Sequence, residues 1–417
     1  MYRPPKSPAT TGSHAEASKP PRPKSTAPTP GTHVATQPPV RTPGVASPAA
    51  QVFAKQVTKQ EQTLLNQALS SMPGSVVLLN ASGTALTPRT LLSAPSHPEH
   101  AVLPSITVGR APRAVAVAEQ IRRVYVANAG DNSLSVLDAR TGAVLRTVPV
   151  GAAPAAVAVD EPTRRVFVAE AGANSVRVLD ARTGATVRTV PVGTAPTALA
   201  VDVPTGRVFV ANSGDNSVSL LDAHSGALRR TVVVGTGPQG GPRAVAVSAR
   251  TGHAFVASGD SVLLLDARSG AVVRAVPTGI GTLAGNPVAV AVDERFSRVF
   301  VANMSLPDAS SPWDNSLVLL NARTGDVLGN VPLDAPPVAV AVDARTERVF
   351  LATAGPQRSG RASDPGSVSV LDARTGAVRR TITLGRSPRA IALDSRTGRA
   401  FVVSGGSNTV AILDGTS

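Results

Sequence analysis

The sequence predicts an all-β protein of 417 residues, dominated by a seven-bladed β-propeller of four-stranded antiparallel blades. Three observations predict this fold. Short strand patterns occur in groups of four, and one aromatic residue recurs at the same position of each group. A Leu-Asp-Ala-Arg-Thr-Gly stretch also recurs, with near copies starting at Leu137, Leu179, Leu221, Leu265, Leu320, Leu371 and Leu413.

The acidic residue of this stretch measures the period of the repeat. The seven markers are Asp138, Asp180, Asp222, Asp266, Asn321, Asp372 and Asp414. They are separated by 42, 42, 44, 55, 51 and 42 residues. Seven units of this length, with no helical pattern between them, are typical of propeller blades.

Each complete unit contains four strand patterns, named A to D. In the first unit we predict strands at Arg113 to Ala118, Val124 to Asn128, Ser133 to Asp138 and Ala143 to Val150. Proline cannot donate a hydrogen bond to a ladder and is confined to edge strands. Strand D is therefore predicted to be the outermost strand, because it contains Pro149, Pro191, Pro277 and Pro332.

The aromatic residues are predicted to form the core between blades. The chain has eight Phe, two Tyr and one Trp, and seven of these occupy one position in strand B. One bulky ring per unit suits the space between neighbouring sheets. The seven residues are Tyr125, Phe167, Phe209, Phe255, Phe300, Phe350 and Phe401.

The two ends of the repeat region are predicted to meet in one blade. The seventh unit has strands A, B and C, but the chain ends before a strand D. The pattern Ser105 to Gly109 matches the strand D pattern Thr147 to Gly151 and precedes the first strand A. We therefore expect residues 104–109 to complete the seventh blade.

The sequence divides into three regions. Residues 1–50 are rich in Pro, Thr and Ser, which predicts a disordered tail. Residues 51–103 are predicted to contain one short amphipathic helix, followed by a partial repeat at 75–86. Residues 104–417 form the predicted propeller.

The first unit carries a family resemblance in Val124 to Asn128, Gly130 to Asp138 and Thr141-Gly142. These residues resemble the YVTN β-propeller repeat of bacterial and archaeal surface or periplasmic proteins, including the YncE-like group. The resemblance covers about residues 104–417 and implies a mostly non-enzymatic propeller, with some members linked to single-stranded DNA. This chain departs from the motif by placing Ala where Thr usually stands, as at Ala127.

The composition favours no particular chemistry. The formal net charge is +14, there is no cysteine, and no stretch is long and apolar enough to span a membrane. We predict no catalytic residues, no metal site and no cofactor. No apolar stretch of signal-peptide length follows Met1. A cytoplasmic location is the default expectation, and an extracytoplasmic one follows if the family pattern holds and Met1 is not the true start.

The recurring acidic residue is predicted to be structural. An Asp at the start of a turn accepts hydrogen bonds from backbone amides two or three residues later, and the Gly of the stretch closes the hairpin. This role is assigned to Asp138, Asp180, Asp222, Asp266, Asp372 and Asp414.

Changes in loop length point to one face of the ring. The crossings from D to A at Gly235 to Pro242 and Gly279 to Pro287 gain four and five residues. The B to C loops at Asn303 to Asn315 and Thr353 to Gly366 gain eight and nine. All four lie on the face bearing B–C loops and D–A crossings, and insertions on one face often mark a binding face.

Eight residues on this face are candidate ligand-binding residues. An exposed Trp beside Arg is a common interface anchor, and arginines at the channel mouth suit a carboxylate or phosphate. The candidates are Trp313, Arg358, Arg361, Arg110, Arg113, Arg243, Arg386 and Arg389.

Three hypotheses of function follow. The favoured one is a non-catalytic binding or scaffold propeller that engages a protein, a glycan or an anionic ligand through this face. The second is a single-stranded nucleic-acid binder, which the positive charge favours. The third is an enzyme similar to lactonases or quinoproteins.

Overall fold

The computed structural model describes residues 78–79, 85–86, 105–235, 241–279, 286–304, 315–355 and 365–414. The chain divides into two compact units, Met1–Ser93 and Ala94–Ser417. In the first unit, β1 (Leu78–Leu79) and β2 (Ala85–Leu86) pair antiparallel. The predicted disordered tail and amphipathic helix lie outside the described residues. The described part of the chain contains no helix that could span a membrane.

The second unit is the predicted seven-bladed propeller, in which each sheet has the order A-B-C-D. In blade 1 the strands are β4 (Pro112–Ala118), β5 (Arg123–Asn128), β6 (Ser133–Asp138) and β7 (Val144–Pro149). In blade 2 they are β8 (Pro154–Asp160), β9 (Arg165–Glu170), β10 (Ser175–Asp180) and β11 (Thr186–Pro191). In blade 3 they are β12 (Pro196–Asp202), β13 (Arg207–Asn212), β14 (Ser217–Asp222) and β15 (Leu228–Val233).

Blades 4 to 6 follow the same order. In blade 4 the strands are β16 (Pro242–Ser248), β17 (His253–Ser258), β18 (Ser261–Asp266) and β19 (Val272–Pro277). In blade 5 they are β20 (Pro287–Asp293), β21 (Arg298–Asn303), β22 (Asn315–Asn321) and β23 (Val327–Leu333). In blade 6 they are β24 (Pro337–Asp343), β25 (Arg348–Thr353), β26 (Pro365–Asp372) and β27 (Val378–Arg386).

Blade 7 joins the two ends of the propeller sequence, as predicted. Its strands are β28 (Pro388–Asp394), β29 (Arg399–Ser404), β30 (Thr409–Asp414) and β3 (Ser105–Thr107). Ile106 pairs with Val410, and the Val108 amide donates to the Asn408 carbonyl at 3.0 Å. The A strands of neighbouring blades contact one another all round the ring, including those of blades 7 and 1. The ring is therefore closed by strand pairing within blade 7.

Seven hydrophobic clusters form the core, one at each junction between neighbouring blades. Each cluster contains the strand B aromatic residue of one blade and aliphatic residues of the next. Phe209 of blade 3, for example, packs with Val256 and Leu265 of blade 4. All seven aromatic side chains are fully buried. The prediction that they form the core is confirmed, and strand D, much of it exposed, is the outermost strand of each blade.

The recurring Leu-Asp-Ala-Arg-Thr-Gly stretch forms the C–D turn. Asp138 Oδ1 accepts hydrogen bonds from the amides of Arg140 and Thr141 at 3.0 and 2.9 Å. Gly142 has a φ of 75°, which favours glycine. The same acceptor position is used by Asp180, Asp222, Asp266 and Asp372. Asp414 instead bonds to Arg399 Nε at 2.9 Å, and the residues after it lie outside the described range.

Replacing Asp138 provides a test of this turn. The amide of Thr141 and then its hydroxyl lower the pKa of Asp138, against the effect of partial burial. We expect Asp138→Ala to lower the free energy of unfolding by about 1 kcal/mol at pH 7, because the turn loses its acceptor. The lowered pKa means that this contribution is present above about pH 4 and is lost as the pH falls further. Urea unfolding at pH 7 and pH 3 measures both effects.

The matched control is Asp138→Asn, because blade 5 already uses an amide at this position. Asn321 Oδ1 accepts from the amides of Arg323 and Thr324 at 2.8 and 3.2 Å. The Asn variant should therefore lose less than about 0.5 kcal/mol at pH 7. Equal losses for the Ala and Asn variants would contradict a role based on hydrogen-bond acceptance.

Candidate ligand-binding face

The face bearing B–C loops and D–A crossings, here called the insertion face, has a regular backbone in blades 7, 1, 2 and 3. The amides of Ala129 and Gly130 donate to the carbonyls of Ala111 and Arg110 at 3.1 and 2.9 Å. Asn132 of the same loop accepts from the amide of Ala153 in the next crossing at 2.8 Å. Ala111 and Asn132 have φ values of 48° and 51°, so left-handed backbone shapes both segments. These bonds connect each loop to two crossings.

Blades 4 to 6 carry the four insertions of this face. The gaps between the described ranges, at 236–240, 280–285, 305–314 and 356–364, fall within these insertions. Trp313, Arg358 and Arg361 lie outside the described residues. Their assignment as ligand-binding residues stays a prediction.

A bulge occurs at the insertion-face end of every A strand. In blade 1, Pro112 pairs with Asn128 and Ala114 pairs with Ala127, which leaves Arg113 without a partner in the ladder. The same register shift occurs in the other six blades. The bulge residues are Arg113, Ala155, Thr197, Arg243, Val288, Val338 and Arg389. Because the A strands form the inner ring, these residues surround the mouth of the central channel.

The bulge changes the direction of a side chain, as bulges near functional sites often do. The Thr197 hydroxyl of blade 3 donates to the carbonyl of Pro242 in blade 4 at 3.0 Å. Arg389 is the equivalent bulge residue of blade 7, at the junction with blade 1. A Cβ added to Gly405 would lie 3.2 Å from both Arg389 Cγ and the Pro112 carbonyl oxygen. The glycine therefore leaves room for the arginine side chain between the two blades.

Three of the seven bulge residues are arginines. Arg113 and Arg389 lie on contacting A strands, and Arg243 lies in blade 4. All three are exposed. None of them forms an ion pair with another residue of the described ranges. Their guanidinium groups can therefore bind an anion without first breaking an ion pair with a described residue.

The other two predicted arginines differ from this set. Arg110 donates from Nε to Asp131 Oδ1 at 2.6 Å, and the pKa of Asp131 is lowered by this contact. Arg386 ends strand D of blade 6, is exposed, and accepts from the Gly406 amide through its carbonyl at 3.1 Å. Arg110 thus already forms an ion pair with Asp131, whereas the Arg386 side chain has no ion-pair partner among the described residues.

Blade 2 contains a buried ion pair on this face that the sequence analysis did not identify. Glu170 is buried and accepts from the Gly151 amide, the Ser175 hydroxyl and Arg177 Nε at 2.6, 2.7 and 2.5 Å. Blade 1 has Asn128 at the equivalent position, bonded to Ser133 and Ser135. The sequence feature that could have indicated this pair is the change from Asn128 in blade 1 to Glu170 at the same position of blade 2. All three contacts are internal, so we assign Glu170 a structural role.

Comparisons with known proteins agree with the architecture. A family model described as outer membrane protein assembly factor BamB matches residues 172–363, which run from the B–C loop of blade 2 to that of blade 6. No curated protein matches the chain. A solved structure of Kuenenia stuttgartiensis hydrazine synthase is 19% identical, with a TM-score of 0.63, and the match covers 75% of this chain and 97% of that chain. This likeness shows the propeller fold.

The described residues contain no group of three or more His, Asp or Glu side chains that could hold a metal ion. Two carboxylates in the described part of the insertion face are bonded to the protein itself. Asp131 accepts from the Arg110 amide, and Asp215 accepts from the Thr194 amide at 2.9 Å. The bulge arginines, which form no ion pair with a described residue, are therefore among the groups of this face that are available to a ligand.

Proposed function

We propose that this protein is a non-catalytic binding or scaffold propeller that engages an anionic group of a protein, glycan or small ligand through the insertion face. The observation that carries the proposal is the set of exposed bulge arginines, Arg113, Arg243 and Arg389, at the mouth of the central channel. Arginine binds carboxylate and phosphate groups through paired hydrogen bonds. The bulge residues belong to A strands that are paired within their blades and contact one another round the ring.

Two similarities support a scaffold role. The family description that matches residues 172–363 names an assembly factor rather than an enzyme. The repeat motif also resembles the YVTN repeat, whose YncE-like members are mostly non-enzymatic surface or periplasmic proteins. A single-stranded nucleic-acid binder and a lactonase-like or quinoprotein-like enzyme are the alternatives that the experiment must separate.

The experiment compares three labelled probes: an oligo-aspartate peptide, a sulfated oligosaccharide and a 20-nucleotide single-stranded DNA. Fluorescence anisotropy at low and physiological salt measures each dissociation constant. We expect at least one anionic probe to bind, and the double variant Arg113→Gln/Arg389→Gln to weaken that binding about tenfold or more, because charged hydrogen bonds are lost.

The matched control, Arg140→Gln/Arg323→Gln, removes the same charge from C–D turns on the opposite face. It should change the affinity by less than about threefold, since exposed distant charges are screened by salt. Equal weakening by both double variants, or no binding of any probe at low salt, would refute the proposal. Preference for DNA over both other probes would favour the nucleic-acid alternative, and turnover in a lactone hydrolysis assay would favour the enzyme.

A further inference from the structure

The A–B turns on the opposite face contain a hydrogen-bonded pair that recurs in several blades. Strand A ends in a buried Asp, and the Thr three residues later donates its hydroxyl to that carboxylate. Thr163 bonds to Asp160 at 2.6 Å, and Thr346 bonds to Asp343 at 2.7 Å. Thr205 and Asp202 form the same pair in blade 3. The pair therefore places a buried carboxylate and a hydroxyl in the A–B turn.

Blade 1 replaces both members of this pair with apolar residues. Ala118 stands at the Asp position, and Ile121 stands at the Thr position. Blade 5 also has an apolar residue at the Thr position, Phe296, but it keeps the buried Asp293. The Phe296 ring is surrounded by three guanidinium groups, at 5.5, 5.7 and 5.9 Å from Arg295, Arg298 and Arg374. Blade 1 is thus the blade in which both polar groups are missing.

A second feature of the junction of blades 1 and 2 is the position of the Arg123 side chain. In blades 5 and 7, the first residue of strand B reaches the C–D turn of the next blade. Arg298 donates to the Arg374 carbonyl at 3.0 Å, and Arg399 donates to the Arg140 carbonyl at 2.7 Å. The equivalent Arg123 donates to Asp138 of its own blade at 3.3 Å. The hydrogen bonds of the Arg123 side chain go to Arg122 and Asp138 of its own blade, and none reaches the described C–D turn of blade 2.

Two carbonyls of the blade 2 C–D turn, those of Ala181 and Arg182, accept hydrogen bonds from other side chains of blade 1. The buried Tyr125 hydroxyl donates to the Ala181 carbonyl at 2.5 Å, and Arg146 donates to the Arg182 carbonyl at 2.6 Å. Tyr125 is the only tyrosine among the seven strand B aromatics. The C–D turn of blade 2 is therefore held by two side chains of blade 1, those of Tyr125 and Arg146, which cross the junction.

A cavity of about 230 Å³ lies between blades 1 and 2. Its apolar lining includes Ala118, Ile121, Val159 and Ala181, and its rim carries the exposed Arg164 and Arg182. An engineered apolar cavity of about 150 Å³ binds benzene. This cavity therefore has room for one ring and a small substituent.

The charge at the rim favours an acidic substituent. Glu161 also lines the cavity, but its Oε1 accepts a hydrogen bond from the Gln120 amide at 3.1 Å. Neither Arg164 nor Arg182 forms an ion pair with a described residue. Two guanidinium groups beside one carboxylate give the cavity a net positive rim.

We propose that the cavity between blades 1 and 2 is a binding site for a small aryl or branched aliphatic carboxylate. The ring or branched group would contact Ala118, Ile121 and Val159, and the carboxylate would bond to Arg164 and Arg182. This site is on the opposite face from the bulge arginines, so the proposal does not depend on the function proposed above.

Benzoate and its neutral analogue benzamide are the probes for this site. Isothermal titration calorimetry and ligand-observed NMR should give a benzoate dissociation constant of about 1 mM or tighter, as expected for a nine-atom ligand. Benzamide should bind about tenfold more weakly, because it lacks the charge that pairs with arginine. Absence of benzoate binding at 10-fold higher concentration, or equal binding of both probes, would overturn the proposal.

Two variants locate the binding. Ala118→Asp/Ile121→Thr installs the pair found in blades 2, 3 and 6, and should weaken benzoate binding at least tenfold while circular dichroism keeps the wild-type spectrum. Arg182→Gln leaves the apolar lining intact and should weaken benzoate about tenfold without changing benzamide binding. Arg113→Gln/Arg389→Gln should bind benzoate normally. Unchanged benzoate affinity in both pocket variants, or loss in the bulge variant, would overturn the proposal.

Discussion

Deleting residues 101–109 is expected to lower the midpoint of thermal unfolding by roughly 10 °C, because blade 7 loses strand β3. The deletion removes three paired positions along β30 and the partly buried side chains Ile106 and Val108. At about 1 kcal/mol for each hydrogen bond and about 1 kcal/mol for each half-buried aliphatic side chain, the loss is about 5 kcal/mol. Differential scanning calorimetry measures the midpoint.

Two substitutions test whether the effect comes from strand pairing and packing. Ile106 faces the cluster between blades 7 and 1, whereas Thr107 is exposed. Ile106→Asp should cause a large part of the loss, and Thr107→Asp should change the midpoint by less than about 2 °C. An unchanged midpoint after the deletion would mean that closure of blade 7 contributes little to stability.

Truncating one strand B aromatic residue should produce a loss of similar size. Phe209 is fully buried between blades 3 and 4, where it packs with residues of both. We expect Phe209→Ala to lower the free energy of unfolding by about 3 to 5 kcal/mol, because the close-packed junction cannot fill the cavity left by the ring. Chemical unfolding followed by circular dichroism measures this change.

The control for Phe209 is an exposed apolar residue of the same blade. Val233 in strand D is 69% exposed, so Val233→Ala should cost less than about 0.5 kcal/mol. Phe209→Leu should fall between the two, since part of the apolar volume remains. A loss for Phe209→Ala no greater than that for Val233→Ala would contradict the assignment of the aromatic ring as the core of the junction.

The repeat pattern was sufficient to predict most of the propeller. The A, B and C strands of blade 1 match their predicted positions within one residue, and strand D is Val144–Pro149 rather than Ala143 to Val150. The predicted closing strand at 104–109 is shorter in the structure, Ser105–Thr107, with the Val108 amide bonded beyond it. Such boundaries depend on individual hydrogen bonds, which a repeat pattern does not specify.

The candidate site was predicted less completely. The sequence placed Arg110, Arg113, Arg243, Arg386 and Arg389 together on one face by their position in the repeat. It did not separate Arg110, which is paired with Asp131, from the bulge arginines, since both kinds flank the same Pro. The bulge itself depends on the register between strands A and B, and this register becomes visible only when both strands are paired.

The sequence by itself determined the number of blades, the outermost strand, the aromatic core and the closure of the ring. These features follow from alternation, turn residues and a period near 42 residues, all of which are local and are repeated in each unit. The tertiary structure alone decided which charges are paired and where a cavity lies. The ion pairs Glu170–Arg177 and Arg123–Asp138 depend on contacts between neighbouring strands of a folded sheet. The cavity is lined by residues of both blade 1 and blade 2, so it exists only where the two folded blades pack together.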